Sequence, residues 1–179
     1  MKWHYYRKLI NLVKKFSLPK NVFFKKINFF VYILISLIFY LDRFLKEKII
    51  NNFSENKLFV NDFINLDLIW NTGIGFGFLS SSSSLIYNFV TGIISFVIVV
   101  LIYLTFISEK IDKIIFSFII GGALGNLYDR LVYNAVPDFI DIHYNNFHWF
   151  TFNIADIFIS IGVVFYLIKS LNEKKYEKN

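Results

Sequence analysis

The segment LIYNFVTGIISFVIVVLIYLTFI, residues 85–107, lies within a 41-residue stretch that carries no charged side chain, from Leu68 to Ser108. A helix of about 20 apolar residues is long enough to cross the hydrocarbon core of a bilayer. Three further apolar stretches approach this length: roughly Ile27–Leu45, the segment between Lys113 and Asp129, and about Phe152–Ile168. The sequence therefore predicts a mainly α-helical membrane protein, built as a bundle of four transmembrane helices.

The composition supports this class and excludes others. Of the 179 residues, 56% are hydrophobic and only 18% are charged, and the mean hydropathy is +0.52. A soluble domain carries about 25% charged residues. The 23 Phe, two Pro and no Cys exclude disordered, collagen-like and disulfide-rich chains. The net charge of +6 does not indicate nucleic-acid binding, because most Lys and Arg residues lie outside the apolar segments and near their ends.

The distribution of positive charge predicts how the four helices are oriented. Eight Lys and Arg residues and no acidic residue lie in the first 26 positions, and 14 of the 19 basic residues fall on the side that this segment would occupy. Basic residues mark the cytoplasmic side of a membrane protein. We therefore expect residues 1–26 to form a basic cytoplasmic extension, residues 27–169 the membrane domain and residues 170–179 a cytoplasmic tail.

Two predicted outer loops connect the spans. The first covers about residues 46–84, and its segment from Leu58 to Trp70 is rich in Phe, Ile and Leu with local alternation, which predicts one or two short strands. Several glycines and a run of serines then predict a turn-rich return to the bilayer. The second outer loop covers about residues 133–151, and its His, Tyr and Trp residues suit the membrane interface.

The polar residues of the spans gather at their predicted outer ends. Asn126 and Arg130 lie one turn apart near the end of the third span, and Asn153 and Asp156 lie one turn apart at the start of the fourth. Asp138 lies between the two spans. A charge at membrane depth costs at least ~2.5 kcal/mol, so such residues are functional candidates. Two other interpretations stay open: Asn153 and Asp156 could cap a helix, and Asp138 could be a solvated loop acid.

The end of the third span carries two further signals. Gly121 and Gly125 have the GxxxG spacing, which predicts close helix packing, and we expect the fourth span as the neighbour. Arg130 would then either reach the lipid headgroups or pair with Asp129.

A pair of acids at a partly dry interface has a specific chemical use. Asp138 and Asp156 could share one proton, so that one acts as general base on a water while the other polarises a carbonyl group. The chain has no Cys, and no Ser lies beside a His in a recognisable arrangement. His143 and His148 near Asp138 and Asp141 indicate a metal site only weakly, because five residues separate them in a predicted loop.

Five motifs carry a resemblance to one family. NTGIGFGFL at residues 71–79 resembles the NTGAAFGFL motif of the lipoprotein signal peptidases (signal peptidase II), and GGALGNLYDRL at residues 121–131 resembles their GGALGNLxDR motif. VPDFID at residues 136–141 is similar to VVDFID, and FNIAD at residues 152–156 matches FNIAD. Leu41-Asp42-Arg43 with Lys46 fits the motif at the end of the first span. The motifs occur in order over about residues 30–168.

The resemblance implies an aspartic endopeptidase, a hydrolase of the bacterial plasma membrane with four helices and a small β-containing cradle outside the bilayer. Such an enzyme removes the signal peptide of a prolipoprotein by cutting before the diacylglyceryl-modified cysteine. Asp138 and Asp156 match the catalytic pair, which lies at the outer face. The other matching positions are Asn126, Arg130 and Asn153, which line the family's site, Asn71 and Gly73, in the segment over it, and Asp42, a structural support.

The resemblance also fixes the expected partners. They are lipid-modified prolipoproteins and membrane lipids, not nucleic acid, and we expect a monomer that needs no cofactor and no metal. The chain departs from the family pattern at Pro137, where Val is usual, and at Ile74-Gly75, where Ala-Ala is usual. Pro137 removes a backbone donor and favours extended geometry at Val136.

Two functions of other classes stay open on the residues alone. A small transporter or channel subunit would use its acids to relay protons or bind cations, and it would need polar residues through the whole bilayer thickness. An assembly protein would only pair its acids with Arg130. Polar residues that cluster at one end of the spans favour the peptidase.

Overall fold

The computed structural model describes residues 25–53, 57–73, 84–145 and 147–176. Most of the predicted basic extension, the Gly- and Ser-rich segment 74–83 and the last three residues of the tail lie outside the described residues. The described residues form four helices and four strands. In chain order these are α1 Lys26–Phe53, β1 Leu58–Asn61, β2 Ile64–Asn71, α2 Ser84–Ile107, α3 Lys110–Tyr133, β3 Val136–Tyr144, β4 Phe147–Phe152 and α4 Ile154–Tyr176.

All four helices are long and apolar enough to cross a membrane, which confirms the predicted four-helix bundle. Large apolar side chains such as Phe29, Phe96 and Leu167 are more than half exposed along them, as expected for surfaces that face lipid. Helix α3 is the central one. In its most apolar stretch 44% of residues are buried, against 22% or less in the other three helices, and it packs against each of them.

Glycines on two faces of α3 allow this close packing. Gly121 and Gly125 face α1, because a Cβ at Gly121 would lie 2.8 Å from the Cβ of Ile38 and one at Gly125 would overlap the Asp42 carboxylate. Gly122 faces α4, where a Cβ would lie 2.5 Å from a backbone oxygen. The prediction that the GxxxG pair packs on the fourth span is therefore wrong. Successive residues of an α-helix are rotated by 100° about its axis, so Gly122 contacts α4 while Gly121 contacts α1.

The four strands form one antiparallel sheet in the order β1-β2-β3-β4. Strands β1 and β2 confirm the strands predicted between residues 58 and 70, and β2 pairs with β3 so that Asn71 lies opposite Val136. Strands β3 and β4 lie in the second predicted outer loop, where the sequence analysis predicted none. Most of β3 is buried on both faces, so the chain shows no apolar–polar alternation there, and its Asp and His residues resemble those of a loop.

Candidate active site

Asp138 lies in β3 and is almost completely buried, with 2% of its surface exposed. Two asparagine amides donate hydrogen bonds to it. Asn71, the last residue of β2, donates through Nδ2 to Oδ2 at 2.8 Å, and Asn153 donates through Nδ2 to Oδ1 at 2.6 Å. Asp138 is therefore not a solvated loop acid.

Asp156 lies in the first turn of α4 and is held by two donors. Asn126 of α3 donates through Nδ2 to Oδ1 at 2.8 Å, and the backbone N–H of Asn153 donates to Oδ2 at 3.2 Å. In return the backbone N–H of Asp156 donates to Oδ1 of Asn153 at 3.1 Å. This reciprocal pair is a capping box, so the helix-capping interpretation is correct as well.

Asn153 connects the two acids. Its side chain caps α4 through Oδ1 and donates to Asp138 through Nδ2, while its backbone N–H donates to Asp156. Because β4 ends at Phe152 and α4 begins at Ile154, this junction residue contacts the sheet acid and the helix acid at once. The fold thereby connects, through one residue, two carboxyl groups that are 18 positions apart in the sequence.

The surroundings of Asp138 favour its protonated form. Burial, and then the negative charge of Asp156, raise the pKa of Asp138 to about 6. The hydrogen bonds from Asn71 and Asn153 and the positive charge of Lys46 oppose this rise of the pKa. The pair can therefore hold a single proton near neutral pH, as the chemistry of a shared-proton acid pair requires.

A buried lysine lies behind Asn126. The Nζ of Lys46 is fully buried, donates to Oδ1 of Asn126 at 2.8 Å, and forms ion pairs with Asp42 at 2.9 Å and with Asp129 at 2.7 Å. Because the amide oxygen of Asn126 accepts from Lys46, its NH₂ group must point toward Asp156. The other oxygen of Asp42 accepts from the backbone N–H of Ala155 at 2.9 Å, which joins α1 to the first turn of α4.

Arg130 contacts the segment that follows β2. Its guanidinium donates to the backbone carbonyl of Gly73 and lies 5.4 Å from the ring centre of Tyr87. The backbone N–H of Gly73 in turn donates to Oδ1 of Asn71 at 2.8 Å, which orients the Asn71 amide toward Asp138. Arg130 is therefore not the partner of Asp129, which pairs with Arg43 and Lys46 instead.

The structure thus brings six of the predicted residues into one hydrogen-bonded group and connects the other two to it. Arg130 reaches the group through Gly73, and Asp42 reaches it through Lys46 and Ala155. The group contains Asn71, Gly73, Asn126, Asp138, Asn153 and Asp156.

The contacts of four further residues were not predicted. Arg43 and Lys46 belong to the motif at the end of the first span but had no assigned role, Asp129 was considered only as a partner of Arg130, and Tyr87 was not considered. A usable signal existed for Lys46: it lies four residues after Asp42, at the end of an apolar span, where an ion pair on one helix face is expected.

An apolar cavity of about 360 Å³ opens beside Asp156. It runs between the β3–β4 hairpin and the first turns of α4. Its lining is Ile142, Phe150, Phe152, Asp156, Ile157, Ser160 and Ile161. An apolar segment of a ligand can therefore lie directly against one carboxyl group of the pair.

Comparisons with known proteins show which sequences this chain is similar to. A sequence model of the signal peptidase (SPase) II family matches residues 34–172. The lipoprotein signal peptidase of Pelagibacter ubique (strain HTCC1062) is 49% identical over 125 residues, which cover 68% of this chain and 75% of that protein. The lipoprotein signal peptidase of Francisella tularensis subsp. novicida (strain U112) is 41% identical over 120 residues, which cover 65% and 74%.

The fold matches a solved structure too. A bacterial membrane enzyme superposes with a TM-score of 0.69 at 27% identity, covering 80% of this chain and 88% of that one. The family match begins in α1 and ends in α4, so it includes the sheet and both acids. These matches favour a peptidase over the transporter and assembly-protein interpretations. The chain is a multi-pass membrane protein, and it belongs to the signal peptidase II family.

Proposed function

We propose that this chain is a membrane aspartic endopeptidase that removes the signal peptide from diacylglyceryl-modified prolipoproteins, cutting before the lipidated cysteine. The observation that carries the proposal is the connection of two acids, the buried Asp138 and the partly buried Asp156, through the single residue Asn153. The names of the relatives supply the substrate class.

In the proposed mechanism the pair holds one proton. The ionised carboxylate takes a proton from a water molecule, and the resulting hydroxide attacks the peptide carbonyl carbon. The protonated carboxyl donates a hydrogen bond to the carbonyl oxygen and stabilises the tetrahedral intermediate. The C–N bond then breaks as the nitrogen receives a proton from the pair. Either acid can serve as the base, because the pair titrates as a unit.

Asparagine amides keep the two acids in place during these steps. Asn71, Asn126 and Asn153 each donate to a carboxylate oxygen, and each amide is itself oriented by a second contact. Pre-oriented groups avoid the cost of reorganisation when the reaction occurs. We assign these three residues to positioning, together with Arg130 and Gly73, and Asp42 to structural support.

The substrate would approach from the bilayer. A lipidated precursor is anchored in the membrane, so its scissile bond lies at the outer interface. The apolar cavity beside Asp156 suits an apolar part of such a substrate, and the segment around Asn71 and Gly73 would cover the acids.

The charge distribution supports the proposed location. We assign the protein to the bacterial plasma membrane as a monomer in contact with lipids, with residues 1–26 and 170–179 in the cytoplasm. The membrane domain is residues 27–169, and its site faces outward. Most basic residues lie at the opposite ends of the spans from Asp138 and Asp156.

The test uses Asp138→Asn and Asp156→Asn in the purified full-length protein, with a diacylglyceryl-modified prolipoprotein as substrate. General acid–base catalysis contributes roughly 10²–10⁴-fold, so each variant should lose at least a hundredfold in the rate of cleavage. The matched control is Asp67→Asn, which changes an acid of the same sheet that pairs with the exposed Lys57. Unchanged cleavage by either of the first two variants would exclude the acid-pair mechanism.

A further inference from the structure

Three metal-ligating side chains meet on the sheet, away from the acid pair. Asp141 and His143 lie in β3 and His148 lies in β4, and one ligand atom of each is within 4.8 Å of those of the other two. Asp138 and Asp141 are three residues apart in one strand, so they point to opposite faces. The cluster therefore lies outside the site proposed for peptide cleavage.

A local irregularity of the hairpin creates this cluster. The register of β3 and β4 shifts between Ile142 and His143, and His143 then lies opposite His148. The two imidazole rings lie 5.4 Å apart at an interplanar angle of 23°. The Nδ1 of His148 contacts Oδ2 of Asp141 at 2.7 Å, and the Nδ1 of His143 lies 4.0 Å from the same oxygen.

His143 is buried and its Nδ1 faces this cluster without a hydrogen bond. Only 7% of the residue is exposed, and among the described residues Nδ1 has no hydrogen-bond partner. A buried polar atom without a partner is rare in native structures and calls for an explanation, such as a bound ion. Asp141 is also buried, with 2% exposed, so a cation at this point would meet a carboxylate shielded from water.

Asn65 supplies the second contact that a metal-binding histidine needs. It lies opposite Asp141 in β2, and its Nδ2 is 3.5 Å from Nε2 of His143, while its buried Oδ1 has no partner among the described residues. The two ends of an amide have nearly the same shape, so a half-turn of the side chain lets Oδ1 accept from Nε2–H. Nδ1 of His143 then presents a lone pair to the cluster. Ligating histidines typically donate their other N–H to such an oxygen.

We propose that Asp141, His143 and His148 bind a divalent transition-metal ion, with Zn²⁺ as the best fit. Two imidazole nitrogens and one carboxylate oxygen are a donor set that zinc prefers, at about 2.0–2.2 Å from each atom. The ligand atoms would then lie roughly 3.4 Å apart. The distance from Nδ1 of His148 to Oδ2 of Asp141 would have to lengthen from 2.7 Å, and that from Nδ1 of His143 to the same oxygen would have to shorten from 4.0 Å. His148 is half exposed, so the ion can enter from solvent and keep a water ligand.

Such an ion would join β3 to β4. Strand β3 carries Asp138 three residues before the cluster, and β4 leads directly into Asn153. The ion would therefore hold together the hairpin from which both sides of the acid pair are positioned, and it would take no part in peptide cleavage.

The test is metal binding by the full-length protein in detergent, purified without a histidine tag and stripped with a chelator. Titration with Zn²⁺ should saturate at one equivalent, and Co²⁺ should give the visible absorption of a site with nitrogen and oxygen ligands. His148→Ala and His143→Ala should abolish saturable binding. Asn65→Leu, which removes the outer contact, should weaken binding by roughly 10–100-fold.

Two control variants make the outcome decisive. His4→Ala removes the third histidine of the chain, and Asp67→Asn removes an acid of the same sheet outside the cluster. Both should bind Zn²⁺ like the parent. Absence of saturable binding by the parent protein, or one-equivalent binding that survives His148→Ala, would overturn the proposal. A cooperative thermal unfolding transition in detergent, measured without metal, checks that each variant is folded. Since the ion takes no part in the reaction, failure here leaves the proposed peptidase function intact.

Discussion

Asp138→Asn should make the protein more stable at alkaline pH, although it should lower the rate of cleavage at least a hundredfold. The folded protein raises the pKa of Asp138 to about 6 from an ordinary value of 3.8. A folded-state pKa above the unfolded value means that the carboxylate destabilises the fold once the pH exceeds both values. At 1.36 kcal/mol per pH unit the difference corresponds to about 3 kcal/mol. Asparagine has the same shape and carries no charge.

Part of this stabilisation of the variant is offset because the variant loses a hydrogen bond. The carboxylate accepts from both Asn71 and Asn153, and each of these amides is held in its orientation by a contact to its own oxygen. The NH₂ group of a new asparagine would face one of the two donors, so one hydrogen bond is lost, at a cost of about 1–2 kcal/mol. The expected net stabilisation is therefore about 1–2 kcal/mol above pH 7.

Thermal unfolding in detergent, measured from pH 4 to pH 8, tests this reasoning. For a chain of this size the Tm of Asp138→Asn should exceed that of the parent by roughly 2–8 °C at pH 8. The difference should shrink as the pH falls from about 6 toward 3.8, because the parent carboxyl then takes up its proton. Asp67→Asn, which leaves the acid pair intact, should not reproduce the rise of the Tm at pH 8. A lower Tm for Asp138→Asn at pH 8 would mean that the carboxylate is a structural group, and the argument would fail.

Three further substitutions address the contacts around the pair. Asn71→Ala removes a hydrogen bond that lowers the pKa of Asp138, so the alkaline limb of the cleavage rate against pH should move up by about one pH unit. Lys46→Met leaves the buried Asp42 without its cationic partner and Asp129 with Arg43 alone. Breaking a buried ion pair typically costs about 3–5 kcal/mol, so the Tm should fall by roughly 10 °C. Gly122→Ala forces a methyl group against the backbone of α4, and the rate of cleavage should fall by roughly tenfold or more.

Each of these variants has a matched control in the same chain. Asn52 and Lys48 are exposed residues of α1, and Gly92 of α2 has nothing within 4 Å of the position of a Cβ. Asn52→Ala should leave the dependence of the cleavage rate on pH unchanged. Lys48→Met should leave the Tm unchanged, and Gly92→Ala should leave the cleavage rate unchanged. A Gly92→Ala variant as impaired as Gly122→Ala would show that helix substitutions in general, and not contact with α4, cause the loss.

The sequence predicts the helices well because lipid imposes a simple rule on them. Every spanning segment must be a long apolar helix, and this signal needs no knowledge of neighbouring elements. Strands β3 and β4 were not predicted because the local pattern does not distinguish them from an interfacial loop: β3 becomes buried only in the folded protein, and β4 stays mostly exposed. Asp138 and Asp141 interrupt the apolar pattern of β3, and only the folded sheet shows that both are buried.

The residues that the structure brings together in the candidate site could be predicted, but their contacts could not. Motifs identified Asp138, Asp156 and the asparagines, whereas the shared role of Asn153 depends on the junction between β4 and α4. The sequence suggested lipid headgroups or Asp129 as the partner of Arg130, whereas the contact observed is with the backbone carbonyl of Gly73. Side-chain partners depend on the relative rotation of α1 and α3, which spacing along one helix does not define.

The neutral hydrogen-bond donors around the acid pair suit the chemistry that we propose for it. A cation in direct contact with Asp138 would lower its pKa and leave both acids ionised at neutral pH. The two basic residues nearby are occupied elsewhere: Lys46 pairs with acids of α1 and α3, and Arg130 binds the carbonyl of Gly73. The acids instead receive amide N–H groups, which orient them without fixing their charge. Burial and mutual repulsion can then keep one proton on the pair, which a general acid and a general base in one site require.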